Sequence, residues 1–399
     1  MKKYFLLLFV PLIMFSCYEK NSKKSTQPNE TKKVKKQEPS GRFVITYTTN
    51  NFGEISDCGC ATLQLGGLAK RITMQNEIRG EGLDLLYLDS GDYFSKSHIY
   101  PEFLLEDFKK RANLLALGAE KLEISALAPG ETDFVLGKEY LTSTALPYVS
   151  ANIVNSDNSK PYFDQYVVKN VGGYKVAITG VIEERFSKLF DQKNMGIKFL
   201  NIKDSLKSLI PKLKIVADLV IVLAHVDEET MAQLVTEVAG IDFVISGHNG
   251  VLMHEARKYG NTFFFEAEKR GKYVGRIDFD VKSAQGFKND ISGVKKLEKQ
   301  LWWVKEEIST FKKEANLPEN ASKEDLLKAF KDDAFSLKEI DAQFTKLSEL
   351  ETKLASIQLP VSGGFWHTIL PVEEDIVDDP EFLKKYEELE EQRKEKQEK

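Results

Sequence analysis

Three short segments close apolar runs of strand-like composition, and each carries a residue able to bind a metal: 88–92 (LDSGD), 222–225 (VLAH) and 245–250 (ISGHNG). They put one carboxylate, Asp92, and two imidazoles, His225 and His248, at strand ends. In an α/β sheet, side chains far apart in the chain converge at such ends, and a carboxylate with two imidazoles is a donor set for a metal ion. Taken singly, an aspartate after Ser-Gly is an ordinary turn residue and a lone histidine an ordinary core residue. Three in register point to a shared centre.

The elements that must position these residues are legible in outline. Apolar runs at 43–48, 83–88 and 122–128 read as strands, with helices expected over 67–78 and about 102–117. Further runs follow at 148–153, 166–171, 174–181, 219–223, 243–245, 262–266 and 275–281. Strands alternating with helices, then strands in closer succession, imply two stacked β-sheets flanked by helices. After about residue 285 the pattern changes. Leu297, Leu301, Val304, Ile308, Phe311 and Ala315 form one helical stripe, and Leu327, Phe330, Ala334, Leu337, Ile340, Phe344, Leu347 and Leu354 a second. An antiparallel helical hairpin over 292–358 follows, either a packing arm or a docking site for a protein partner. Trp302-Trp303 is expected to bury it against the core. Ser322 with Asp325 reads as a helix N-cap inside it. The 359–399 segment is expected to return to the main body and end in a charged helix with a solvated face.

The chain opens with Met1-Lys2-Lys3, an apolar stretch too short to span a bilayer, and Ser16-Cys17. This resembles a bacterial lipoprotein signal (1–16), which implies lipidation of Cys17 and a protein held on the cell envelope, facing the periplasm or the exterior. From 17 to 41 the chain is polar, with the makeup of a disordered tether, and eight basic against three acidic residues lie in 18–42. A net charge of −5 over 399 residues gives no footing for nucleic acid.

Six segments in order, LLYLDSGD, APGETDF, LPYVSANI, VIVLAH, DFVISGH and RGKYVGRIDFDV, cover about 42–282 and resemble the calcineurin-like metallophosphoesterases, in particular the secreted 5′-nucleotidase branch. The resemblance implies a four-layer sandwich over 42–285, two β-sheets between helices, with two metals about 3.5 to 4 Å apart at the strand ends. It places Asp92 at the metal-bridging aspartate and His225 and His248 at the histidines of the second metal. Glu131 stands where the family's Gly-Asn-His-Glu signature has asparagine. Asp92, Glu131, His225 and His248 then form a set suited to Zn, Mn or Fe, as one ion or two.

The departures concern the first metal. The family's Asp-x-His-Gly reads Asn50-Asn51-Phe52-Gly53, Gly250 replaces a histidine, and Thr132 replaces the histidine that assists the leaving group. Asn50, Cys58 and Cys60 are the candidates for replacement ligands. The two cysteines flank Gly59 and could equally form a strained, reducible disulfide or serve structure. Three functions follow as expectations. One is an envelope-anchored phosphoesterase acting on a small phosphorylated substrate through a reduced or altered site. Another is an inactive phosphoesterase-fold binding module, and the third a metal- or redox-handling protein.

Overall fold

The structure is a computed structural model that describes residues 40–397 apart from 58, 60–63 and 193–194. Cys17, Cys58 and Cys60 lie outside the described residues, as do the signal and nearly all of the tether expected at 1–41. Thirteen strands and ten helices follow in the described chain. The strands are β1 (Arg42–Thr48), β2 (Asp84–Asp89), β3 (Ile124–Leu127), β4 (Ile153–Asn155), β5 (Tyr166–Val171), β6 (Tyr174–Ile182), β7 (Ile197–Phe199), β8 (Leu219–His225), β9 (Phe243–Gly247), β10 (Arg257–Tyr259), β11 (Thr262–Phe265), β12 (Tyr273–Val281) and β13 (Gly363–Pro371). The helices are α1 (Leu68–Gly80), α2 (Glu102–Lys121), α3 (Lys138–Ser143), α4 (Ser187–Gln192), α5 (Ile202–Val216), α6 (Glu228–Glu237), α7 (Ser292–Glu314), α8 (Lys323–Ala329), α9 (Ala334–Ser356) and α10 (Pro380–Gln397).

Apart from a small two-stranded sheet in which β4 and β7 pair, one large sheet runs β13-β12-β1-β2-β3 and the other β10-β11-β9-β8-β6-β5. Their central strands are parallel: β1 with β2 and β3, and β6 with β8, β9 and β11. Such strands are covered on both faces, which explains why β8 is buried at all seven positions and reads as an unbroken apolar run rather than an alternation. Period two still decides where each side chain goes. Phe43, Ile45 and Tyr47 of β1 meet Leu219, Ile221, Leu223, Phe243 and Ile245 between the sheets. Val220, Val222, Ala224 and Val244 turn outward, onto α5 and α6. Aromatic rings fill the middle, with Phe43 stacked on Phe279 at 4.2 Å and Phe243 against Phe365 at 4.8 Å. Leu68, Ile72, Leu115 and Ala119 of α1 and α2 cover the other side of the first sheet. This is the helix–sheet–sheet–helix sandwich expected.

Several details differ from expectation. Residues 148–152 make only isolated bridges, Leu127 with Tyr148 and Val149 with Asp164, before the short β4 that begins at Ile153. The returning segment is a nine-residue strand, β13, antiparallel to β12 from Tyr273 opposite Pro371 to Val281 opposite Gly363. The helical pair is therefore an excursion inside a β-hairpin connection. Val304, Ile308, Leu326, Ile340 and Leu350 give it an apolar core of its own. With the helices filling one another, Trp302 and Trp303 meet edge to face and stay 52% and 54% exposed, and they do not seal the arm to the sandwich. The charged terminal helix α10 docks as well. Phe382 is fully buried in the cluster of α1 and α2, and Arg111–Glu390 and Lys121–Glu381 pair across the contact. Among the described residues no helix is long and apolar enough to cross a membrane.

Candidate metal centre

The parallel strands all end at one edge, and the candidate residues come from five of those ends. After β2 the chain turns sharply because Asp89, buried below the strand end, accepts hydrogen bonds from Gly91 N (2.9 Å) and Thr48 Oγ1 (2.6 Å). Burial pushes the Asp89 carboxyl up to about 7. Asp92 then takes a positive φ of 54°, and its Oδ1 accepts from Thr132 N at 3.0 Å. This crossing needs a glycine at 130, since a Cβ there would stand 2.2 Å from Asp92 Oδ1 and 2.4 Å from Asp92 N. Past β3, Asp133 ties the two loops together by accepting from Gly130 N (2.8 Å) and Phe94 N (2.9 Å). Burial and the nearby Asp92 raise it to about 8. Glu131 opens the short 3-10 turn Glu131–Leu136 on this scaffold.

At the centre, Glu131 Oε2 is 2.6 Å from His225 Nε2, Asp92 Oδ2 is 3.4 Å from the same nitrogen, and Glu131 Oε1 is 3.3 Å from His248 Nδ1. One donor atom each from Glu131, His225 and His248 lie within 4.8 Å of one another. His225 is wholly buried, and its Nδ1–H donates to the Ser90 carbonyl at 2.9 Å, which fixes the ring and turns Nε2 to the centre. Burial alone would lower the His225 pKa, but Asp92 and Glu131 override it and hold the imidazole well above its ordinary value. Glu131 is the counterpart: burial would raise it, and the two histidines hold it well below the usual carboxylate range.

The donor set fits a divalent ion. Two carboxylates and two imidazoles carry the charge and the nitrogen–oxygen character that Zn, Mn or Fe prefers. Glu131 Oε2 and His225 Nε2 are buried and close, yet neither has a partner in hydrogen-bond geometry. Two buried donor atoms this close together and without a hydrogen-bond partner suit a cation that both could bind. Glu131, His225 and His248 would hold it, with Asp92 Oδ2 beside them, 3.4 Å from His225 Nε2.

The remaining expected donors behave differently. Asn50 does not turn its oxygen to the centre: Oδ1 accepts from His248 N at 2.6 Å and so holds the backbone that presents His248. Its Nδ2 lies 3.3 Å from the Glu268 carbonyl and 3.5 Å from Glu266 Oε1. Glu266, missed in the sequence, also accepts from Gly250 N (2.5 Å) and Val251 N (3.0 Å), and burial raises it to about 7. Where the family would place first-metal ligands, this chain has a hydrogen-bonded brace for the His248 loop. Phe52 and Gly250 offer no donor side chain, and the Thr132 hydroxyl donates to Ser95 O at 2.5 Å.

A rim was also missed. Beyond β6, Arg185 reaches His248, with Nη2 at 3.2 Å from His248 Nε2. It is held by Glu183 (Nε to Oε1, 3.1 Å) and Asp227 (Nη1 to Oδ2, 3.0 Å). Asp227 Oδ1 faces His248 Nε2 at 3.6 Å, and Phe186 packs on the His248 ring at 5.3 Å. The available signal was position, since all of these follow the ends of β6 and β8 within a few residues.

No family model matches the chain. The 5′-nucleotidase of Vibrio parahaemolyticus is 26% identical over 261 residues, which is 55% of this chain and 45% of that protein. The uncharacterized metallophosphoesterase YunD of Bacillus subtilis is 25% identical over 221 residues, 53% of this chain and 45% of its own. The chain thus spans less than half the length of these curated relatives. Among solved structures, a 5′-nucleotidase precursor from Thermus thermophilus superposes with a TM-score of 0.52 at 20% identity, over 61% of this chain and 52% of that one. The sulfate thiohydrolase SoxB of the same organism gives 0.50 at 18%, over 61% and 54%. The fold is of the metallophosphoesterase and 5′-nucleotidase type, a sandwich with a candidate divalent-metal centre at its strand ends. The curated relatives it resembles are named as a 5′-nucleotidase and a metallophosphoesterase.

Proposed function

We propose that this chain is a metal-dependent phosphoric ester hydrolase of the 5′-nucleotidase-like kind, working through one divalent ion on a small phosphate ester or anhydride. The observation that carries the reading is the convergence of Asp92, Glu131, His225 and His248 from four strand ends, with Glu131 Oε2 and His225 Nε2 at 2.6 Å. A bound divalent ion would neutralise charge on the phosphoryl oxygens and activate water. The chain's own part is to fix the donors. Ser90 O orients His225, Thr132 N orients Asp92, and Asn50 with Glu266 sets the His248 loop. With threonine at 132, the reaction proceeds without the histidine that helps the leaving group in the family. A general acid is worth roughly 10²- to 10⁴-fold, so turnover is slow and favours good leaving groups.

Lipidation of Cys17 would hold the protein on the bacterial envelope, with the polar tether as spacer. The helical pair α7–α9 would be its surface for an envelope protein. The test of function is a panel of phosphate monoesters, diesters and anhydrides presented to metal-loaded protein. Hydrolysis abolished by Asp92→Asn and by His248→Ala supports the reading, and no turnover on any member refutes it. The second reading, a binding module with this fold, is favoured by Asn50, Phe52, Thr132 and Gly250 standing where catalytic members carry ligands and an acid. It predicts metal binding that changes stability alone.

A further inference from the structure

Arg185 lies beside His248 at the rim of the centre, and among the described residues no second cluster of three metal-ligating side chains is found. We propose that Arg185 grips the phosphoryl group of the substrate, taking the electrostatic part of a second metal; this rests on the reading of the site as a phosphoester centre. The two nitrogens of His248 have different neighbours. Nδ1 faces Glu131 Oε1 at 3.3 Å, on the side of the candidate ligands. Nε2 faces Arg185 Nη2 at 3.2 Å and Asp227 Oδ1 at 3.6 Å. A guanidinium only donates, so its bond to Nε2 requires that nitrogen to be bare and Nδ1 to carry the proton. A metal taken through Nδ1 demands the reverse tautomer. With a metal on Nδ1, Nε2 would carry the proton and offer it to Asp227, and Arg185 Nη2 would lose its acceptor.

The rest of the guanidinium keeps its place. Nε stays on Glu183, Nη1 stays on Asp227, and Cζ lies 5.0 Å from the Phe186 ring centroid. The Arg185 side chain is 50% exposed, so the freed edge is open to an incoming ligand. In the metal-loaded protein the Nη2 N–H pair of Arg185 would therefore stand free beside the centre. A planar, permanently charged fork matches phosphoryl oxygens, and its charge compensates what builds up on them as water attacks phosphorus. In that step the phosphorus–oxygen bond to the leaving group breaks, and the leaving oxygen takes a proton from water. Arg185 donates hydrogen bonds to a non-bridging oxygen and gives up no proton.

The test uses the full chain, with wild type, Arg185→Gln and Arg185→Lys. Zinc is titrated into the metal-free proteins, and inorganic phosphate into the zinc-loaded ones, by calorimetry. Arg185→Gln is expected to weaken phosphate about tenfold or more. Arg185→Lys, which keeps the charge and loses the fork, falls between. Zinc affinity stays equal or tightens in both variants, because a competing bond to His248 and a nearby positive charge are removed. Unchanged phosphate affinity in Arg185→Gln, no phosphate binding by zinc-loaded wild type, or loss of zinc affinity together with phosphate would each overturn the inference. Kinetics on any ester found separates it from the parent reading. Turnover with KM and phosphate affinity untouched in Arg185→Gln leaves the hydrolase standing and removes Arg185. Phosphate binding that depends on Arg185 without any turnover does the opposite.

Discussion

Replacing Glu131 by glutamine keeps the shape of the side chain and removes one negative charge from between two histidines. In the metal-free protein, His225 Nε2 then has a carboxylate charge only in Asp92, at 3.4 Å, after losing the one 2.6 Å away. Removing one member of a buried ion pair costs roughly 3 to 5 kcal/mol, and the surviving aspartate argues for the lower end. Unfolding entropy of about 2.1 cal/mol/K per residue over about 350 described residues gives ~0.7 kcal/mol/K, so ~3 kcal/mol lowers Tm by ~4 °C. Metal at a hundred times its Kd would stabilise the wild type by ~2.7 kcal/mol, again ~4 °C. The assay is a pair of scanning melts, chelator-stripped and zinc-loaded, on both proteins. Glu131→Gln should start ~4 °C lower and rise by less than ~1 °C with zinc, ending ~8 °C below the loaded wild type. A mutant that gains the full wild-type increment would refute the assignment of Glu131 to the ion.

His367 provides a pH signature away from the centre. It is buried beside Tyr47, whose hydroxyl lies 2.8 Å from Nε2, and burial lowers it to about 4. Because the folded pKa is depressed from an ordinary value near ~6.5, the stabilisation is complete above that value and is lost as pH falls from ~6.5 toward 4, by ~3 kcal/mol in all. Denaturant midpoints across that window should flatten in His367→Gln; an unchanged slope would show that other groups set it. Gly130→Ala forces a Cβ onto Asp92 backbone and carboxylate, so calorimetry should find zinc binding lost along with roughly 1 to 3 kcal/mol of stability, and retained zinc binding would count against the geometry. Phe382→Ala should cost about 3 to 5 kcal/mol in chemical unfolding, since the ring is fully buried beneath α10, and a neutral result would mean that the helix is not docked.

The sandwich was legible because its signals are local. Apolar runs of strand length, helical stripes and six ordered motifs each sit within a dozen residues, and the ends of β2, β8 and β9 mark Asp92, His225 and His248. What escaped depends on contacts between remote parts of the chain. Asn50 bonds the amide of His248 across 198 positions, and no spacing rule distinguishes that role from metal ligation. Glu266 appears in the sequence as the polar end of an apolar strand, and its two backbone partners become visible only once the 248–251 loop folds over it. Arg185 was one charge in a Glu-Glu-Arg run until β6 came to lie beside β8. The exposed Trp302-Trp303 pair failed for a related reason. Aromatic content suggested burial, but α7 and α9 satisfied their apolar faces with each other.

The central claim is that this chain holds one divalent ion between Asp92, Glu131, His225 and His248. Elemental analysis of protein purified without chelator, for wild type and His225→Ala, tests it most directly. One transition-metal ion per folded wild-type chain, and well under a tenth of that in the variant, is the predicted result. Equal metal content in the two proteins, or none in the wild type after incubation with zinc, manganese or iron, would contradict it.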